Sequence, residues 1–283
     1  MYLDHFGLKE LPFRLTPDTG YFLGLPGHQR ALQTLLVALR SGEGFLKVTG
    51  EVGCGKTLLC RKLLATLGTG FVSAYIPNPF LTPDALRMAL AEELGLRFPR
   101  HIGQHELLSL ISSRLVALHA QGTPVVLCLD EAQALPLESL EALRLLTNLE
   151  TEKRKLLQVV LFAQPELDQR LGDPGLRQLR QRISFASTLV PLDRTATAAY
   201  LDWRLRQAGL RGAPLFTPGA VALLHRASGG VPRVINILAH KCLLLAYGKG
   251  QHQVSRAQVH AAARDTEGAR HGLALRLASL IAG

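Results

Sequence analysis

The chain has only four cysteines, Cys54, Cys60, Cys128 and Cys242, and none falls in a C-x-x-C pair or another metal-ligand spacing. That excludes a zinc-ribbon or iron–sulfur framework and a disulfide scaffold. Cys60, Cys128 and Cys242 lie in apolar patterns, as buried thiols do in a reducing compartment. No apolar run approaches the ~18 residues needed to cross a bilayer. The opening Met1-Tyr2-Leu3-Asp4-His5-Phe6 carries neither a basic leader nor an apolar stretch, so no secretory signal is read and a cytoplasmic location is expected. Aromatic residues make up 6% of the chain, and none alternates with the basic residues as a stacking platform for single-stranded nucleic acid would require. Acidic residues are also in deficit, 22 against 32 Lys and Arg, for a formal charge of +10. Most of that surplus lies late: residues 201–283 hold eleven basic residues against Asp202, Asp265 and Glu267. The charges are scattered singly, with no basic block, so a solvated Arg-rich helical surface and a contact with nucleic acid or an anionic membrane face both remain open.

What the chain does have, in 283 residues with 47% hydrophobic content, is enough apolar material for one large domain with a smaller appendage. Residues 50–57, Gly50-Glu51-Val52-Gly53-Cys54-Gly55-Lys56-Thr57, match G-x-x-x-x-G-K-[ST] at every fixed position. The run Phe45–Thr49 reads as a buried strand entering this loop and Leu58–Leu64 as a helix leaving it. Glycines permit the tight turns that aim successive N–H groups at a phosphate, and the helix dipole adds to the same anion. Gly50 to Thr57, with Leu58 at the helix start, are therefore the expected phosphate cradle. In it Lys56 reaches the β/γ-phosphates and Thr57 gives an oxygen to Mg²⁺.

Further strand-like runs follow at Phe71–Ile76, Val125–Leu129, Leu156–Phe162 and Ile183–Pro191, separated by helical patterns over Thr82–Leu94, Glu106–Ala120 and Leu137–Leu149. The runs lack polar alternation, as parallel strands covered on both faces do. The expected fold class is α/β, with a doubly wound parallel five-stranded sheet. After Pro191 the pattern is helical only, at Thr195–Ala208, Pro218–Ala227, Pro232–Tyr247 and Ser255–Thr266. The expected divisions are a lead-in to the nucleotide site over 1–30, the core over 31–192, a helical lid over 193–266 and a tail over 267–283. In the tail Leu273, Leu277, Leu280 and Ile281 recur on one helical stripe, which suits either packing on the lid or docking on a membrane-side partner.

Val125–Leu129 ends in Asp130-Glu131, the form of a Walker B strand. Asp130 is placed to hold Mg²⁺ and Glu131 to orient and deprotonate the attacking water. The fourth run ends Ala163-Gln164-Pro165, which puts Gln164 at a strand tip as a candidate γ-phosphate sensor. No N-K-x-D motif marks guanine, so ATP is the expected nucleotide.

These parts together resemble the AAA+ superfamily, and within it the secretion-type ATPases typified by ExeA, over residues 2 to about 266. The resemblance rests on Tyr2…Phe6-Gly7-Leu8…Pro12-Phe13…Thr16-Pro17-Asp18…Phe22, on Asp130-Glu131-Ala132-Gln133, on Gln164-Pro165-Glu166-Leu167, on Leu179–Ile183 and on Gly230–Asn236. Ile76-Pro77-Asn78-Pro79, Leu143–Glu152 and His240–Gly248 resemble more closely the MshM-type ATPases of mannose-sensitive haemagglutinin (type IV) pilus systems.

The resemblance implies an ATP hydrolase that forms homo-oligomers through ATP-bridged interfaces and serves an inner-membrane pilus or secretion assembly protein. It implies an arginine acting in trans, Arg182 by position, with Arg180 and Arg177 as alternatives, and a sensor-2 arginine, Arg233. ExeA continues into a membrane span and a peptidoglycan-binding domain that this sequence does not contain, so envelope contact is expected through a partner or the tail. Cys54 stands where Ala or Ser is common and brings an oxidation-sensitive group to the loop. The competing expectation is a DNA-binding regulator similar to the TniB-type transposition ATPases.

Overall fold

The computed structural model describes residues 2–99, 101–150 and 154–270. In chain order the elements are α1 (Tyr2–Phe6), α2 (Pro26–Arg40), β1 (Phe45–Gly50), α3 (Lys56–Leu67), β2 (Val72–Ile76), α4 (Pro83–Glu93), α5 (Gln104–Ala120) and β3 (Val125–Leu129). They continue with α6 (Leu137–Leu146), β4 (Gln158–Ala163), α7 (Glu166–Arg170), α8 (Arg177–Arg182), β5 (Ile183–Leu189), α9 (Arg194–Gln207), α10 (Pro218–Ser228), α11 (Pro232–Gly248) and α12 (Arg256–Arg264). The chain divides into two units. One holds residues 26–52 and 56–189; the other joins residues 2–25 and 53–55 to the helices after residue 190.

The first unit is built on a five-stranded sheet in the order β2-β3-β4-β1-β5, every neighbouring pair parallel. Of the four pairs of strands consecutive in sequence, β2–β3 and β3–β4 are neighbours and the other two are not; all pairings being parallel, each connection must cross over, and helices supply the crossings. β3 and β4 are buried at every residue, which is why β3 and Val159–Ala163 of β4 are unbroken apolar runs; Gln158, at the start of β4, is buried with its amide donating to the carbonyls of Leu39 and Glu43. Leu86 and Leu90 of α4, Leu107 and Ile111 of α5 and Leu140 of α6 close over the sheet in one core. Helix α4 begins where the sequence marks it: the Thr82 side chain accepts the N–H of Ala85, and Pro83 occupies the first turn. The edge strand departs from the expectation of coverage on both faces. Ser184, Phe185, Ala186 and Thr188 of β5 are exposed, and three of these four are small.

In the second unit α9 to α12 pack around Leu201, Leu224, Ile235, Leu238 and Cys242. Asp193 caps α9, Thr217 caps α10, and Ser255 with Gln258 forms a capping box on α12. Helix α10 stops at Gly229 in the left-handed conformation, and Gly230 follows at φ 76°. A Cβ on Gly230 would lie 2.1 Å from the carbonyl oxygen of Leu192, so only glycine allows this reversal.

Residues 2–25 group with these helices. The reason is apolar: Tyr2, Phe6 and Phe13 are buried in the helical core, and the Tyr2 hydroxyl meets His240 Nδ1 at 2.9 Å. A further difference is α2, whose amphipathic pattern starts five residues before the expected core boundary at 31. The tail stripe Leu273, Leu277, Leu280 and Ile281 lies outside the described residues. Just before it, the N–H of Arg270 donates to the carbonyl of Ala227 at 2.7 Å. Among the described residues no helix is long and apolar enough to cross a membrane.

Candidate nucleotide site

β1 delivers the chain to Gly50, and α3 begins at Lys56. Lys56 is buried, and its Nζ donates to the carbonyls of Gly50 at 2.7 Å and Glu51 at 3.1 Å. The ammonium is thus held over the loop by groups that neither neutralise it nor compete strongly with an anion. Gly53 and Gly55 take φ of 82° and 95°, as a chain turning its N–H groups to one side requires. Gly53 belongs to the second unit, where its carbonyl accepts the N–H of Arg233 at 3.2 Å. A side chain there would meet Arg233 Cβ at 2.6 Å and Val231 Cγ1 at 3.2 Å. Arg233, at the start of α11, therefore has its backbone against the tip of the loop. Cys54 is fully buried.

Asp130 follows β3 and is almost completely buried. Burial pushes its carboxyl above the ordinary range. A hydrogen bond from Thr57, the backbone N–H of Glu131 and the charge of Lys56 oppose that rise without cancelling it. The Glu131 N–H donates to Asp130 Oδ1 at 3.1 Å, and the Tyr75 hydroxyl donates to Oδ2 at 3.5 Å. The hydroxyl of Thr57 on the loop helix thus lies near enough to the acid after the third strand to lower its carboxyl.

Glu131 stands at φ 53°, the one non-glycine residue with positive φ among the described residues. Such a conformation costs on the order of 1 kcal/mol or more and persists where surroundings enforce it. Here the enforcement is visible. Gln133 Nε2 donates to Glu131 Oε2 at 2.5 Å, and Gln164 Nε2 donates to the same oxygen at 3.1 Å. Gln133 Oε1 accepts the Gln164 N–H at 2.9 Å, while Arg170 Nη1 donates to the Gln133 carbonyl at 2.5 Å. Burial works against the Glu131 charge, but the two amides and Lys56 outweigh it and hold the carboxyl below its usual range. Gln164 is thereby brought to the acid pair, as its strand-tip position suggests. In the sequence Gln133 stands only as one member of the Asp130–Gln133 motif; its role emerges from the reversal at Glu131.

Arg182 closes α8, and its Nη1 donates to the Arg144 carbonyl at 3.1 Å and to Thr147 Oγ1 at 3.2 Å. It thus serves the C-terminal end of α6. Arg177 and Arg180, on the same short helix, are exposed. Among the described residues no group of three or more His, Cys, Asp or Glu side chains could hold a metal by itself. The hydroxyl–carboxylate pair Thr57–Asp130 fits Mg²⁺ that arrives with nucleotide phosphates, since that ion keeps waters and takes few protein ligands.

The sheet order, the glycine loop after β1 and the acid pair after β3 define a P-loop domain of AAA type. Residues 39–171 match the family model described as AAA domain. Over 270 residues the chain is 44% identical to General secretion pathway protein A of Aeromonas hydrophila, covering 95% of this chain and 49% of the relative. The chain thus spans about half the length of that curated protein.

Solved structures of similar shape include the Aeropyrum pernix ORC2 protein in its ADPNP–ADP complexes. That likeness has TM-score 0.70 and 18% identity, over 93% of this chain and 73% of that one. Cdc6p of Pyrobaculum aerophilum superposes with TM-score 0.70 and 20% identity, over 90% and 70% of the two chains. The RuvB Holliday junction branch migration motor of Thermotoga maritima gives 0.53 and 16%, over 85% and 69%. At such identities the likeness is one of fold.

Proposed function

We propose that this chain binds ATP with Mg²⁺ and hydrolyses it, and that the cycle drives or regulates assembly of a type IV (MSHA-like) pilus or a secretion apparatus. The observation that carries the hydrolytic reading is Glu131: an ionised carboxylate, fixed by two amides in a strained backbone, next to the acid that bonds the loop threonine. In this reading the loop N–H groups and Lys56 bind the phosphates, and Glu131 accepts the proton of the attacking water as ADP leaves. Gln164 and Gln133 keep the Glu131 carboxylate aimed and charged. Mg²⁺, held by Thr57 and Asp130, supplies charge neutralisation of the phosphate oxygens. Arg233, whose backbone N–H meets Gly53, is the further nucleotide-binding residue that the resemblance implies.

The assembly reading rests on the identity to General secretion pathway protein A, and it implies an inner-membrane partner and a homo-oligomer with an α8 arginine acting in trans. The basic surplus of residues 201–283 supports a second reading, DNA binding; a protein of similar fold, Aeropyrum pernix ORC1, is known in complex with DNA.

The first experiment compares Lys56→Ala with Glu131→Gln. Lys56→Ala abolishes nucleotide binding, whereas Glu131→Gln keeps it and slows turnover about a hundredfold or more. Equal loss of binding in both variants would falsify this division of roles. DNA binding that falls steeply with salt would favour the second reading over the first.

A further inference from the structure

The N-terminal signature, including Pro12-Phe13 and Asp18…Phe22, takes no part in the chemistry above. Its backbone is gripped by one buried cation. Arg204 of α9 is only 5% exposed. Its Nε donates to the Pro12 carbonyl at 2.5 Å and its Nη2 to the Arg14 carbonyl at 3.2 Å. Its Nη1 donates to the Tyr200 hydroxyl at 2.9 Å, and that hydroxyl donates onward to Asn236 Oδ1 at 3.0 Å. The guanidinium lies over the Tyr21 ring at 4.7 Å and over the Tyr200 ring at 5.6 Å. Among the described residues no carboxylate forms an ion pair with it.

A buried guanidinium without a counter-ion is a poor way to hold a helix in a core. An apolar side chain of similar volume does that at lower cost. What the guanidinium adds is direction: donors in a rigid planar fork fix three partners at once. Two of those partners are carbonyls of the N-terminal segment. The third leads through Tyr200 to Asn236 on α11, three residues after Arg233. The Arg233 N–H in turn meets Gly53 at the tip of the phosphate loop. All these residues lie in the same unit.

We propose that Arg204 is a positioning residue for the nucleotide site. Through the Tyr200–Asn236 relay it ties the N-terminal segment to α11 and sets the seat of Arg233 against Gly53. The inference rests on the reading of the phosphate loop as an ATP site.

Tyr200→Phe is the sharpest test, because it keeps the ring beneath the guanidinium and removes only the hydroxyl that links Arg204 to Asn236. Loss of that link should weaken ATP binding about three- to tenfold, the scale of a hydrogen bond, with kcat little changed. Arg204→Lys, which keeps the charge and loses the fork, should move affinity the same way. In an Arg233→Ala background neither substitution should weaken ATP binding further, because the seat they set acts on the nucleotide through the Arg233 side chain, which is already removed. Additive losses in that background would overturn the proposal. So would a Tyr200→Phe protein that melts lower yet binds ATP as the parent does. Should Arg204→Lys fail to fold, Tyr200→Phe and its pairing with Arg233→Ala still decide the matter. The parent reading fails separately, and visibly, if Lys56→Ala leaves ATP binding intact.

Discussion

Gln133 touches Glu131 and Gln164 with the two ends of one amide, donating to Glu131 Oε2 at 2.5 Å and accepting the Gln164 N–H at 2.9 Å. A single side chain therefore sets both the carboxylate and the tip of β4. Replacing it by alanine leaves the left-handed turn at Glu131 less supported and removes one of the bonds that keep the carboxyl ionised. Gln133→Ala should reduce kcat about tenfold, the scale of a hydrogen bond to a charged group. It should also move the acid limb of the kcat–pH profile to higher pH, since a carboxyl losing a donor gives up its proton less readily. An unchanged acid limb would show that Gln133 is not what holds Glu131 ionised.

Asp130 offers a prediction of opposite sign. Its folded-state pKa is raised, so its contribution to stability is full below the ordinary carboxylate value of 3.8 and is lost as pH rises through the folded value. At neutral pH the buried charge is a cost. Asp130→Asn should thus raise the melting temperature of nucleotide-free protein at pH 7 by a few degrees while eliminating hydrolysis. The stabilisation should shrink as pH falls through the raised folded value and be gone below 3.8. Melting curves with and without the substitution, taken across pH, check this.

The arginines of α8 can be separated. Arg182 spends donors on the Arg144 carbonyl and Thr147, so Arg182→Ala should lower the melting temperature through the end of α6. Arg180→Ala and Arg177→Ala remove exposed side chains and should leave stability within about 0.5 kcal/mol. Whichever acts in trans should abolish hydrolysis without loss of ATP affinity. Activity should then return when that variant is mixed with Glu131→Gln protein. Absence of recovery in every mixture would remove the shared-site arrangement.

None of the four thiols forms a disulfide, and all four are buried. A hydrogen bond with Cys128 together with burial pushes the Cys60 thiol far up, and burial alone takes Cys242 to about 12. A thiol-specific disulfide reagent should accordingly label none of them rapidly in the folded protein at neutral pH, and all four after denaturation. Rapid labelling of Cys54 alone would show that the loop opens and that its oxidation sensitivity is real.

Much of this site could be read in the sequence because its signals are local. Glycines at fixed spacing, a strand before them and two acids after Leu129 each require only neighbours in the chain. β3 was legible to the residue, since burial on both faces leaves an apolar run with sharp ends. β4 was read two residues early: Leu156 and Leu157 are buried and apolar without belonging to the strand. Gln133 escaped notice because its partners depend on the φ of 53° at Glu131, and no periodicity encodes that reversal. The placement of residues 2–25 escaped for another reason. Tyr2, Phe6 and Phe13 announce that they need a core but not which one, and theirs is formed by helices nearly two hundred positions away.

That separation has a consequence for how the protein comes into being. On the ribosome residues 2–25 emerge before the sheet-bearing stretch, residues 26–189, and the helices that bury them emerge only after it. At synthesis rates of about 5–20 residues per second, Tyr2, Phe6 and Phe13 wait on the order of ten seconds or longer without a permanent home. The sheet can complete during that interval; the helical unit, being closed by segments on either side of that stretch, cannot. Its assembly is a long-range step, slow in the way high contact order makes folding slow, and a nascent chain stalled before residue 190 would display its aromatic leading segment to whatever chaperone is nearby.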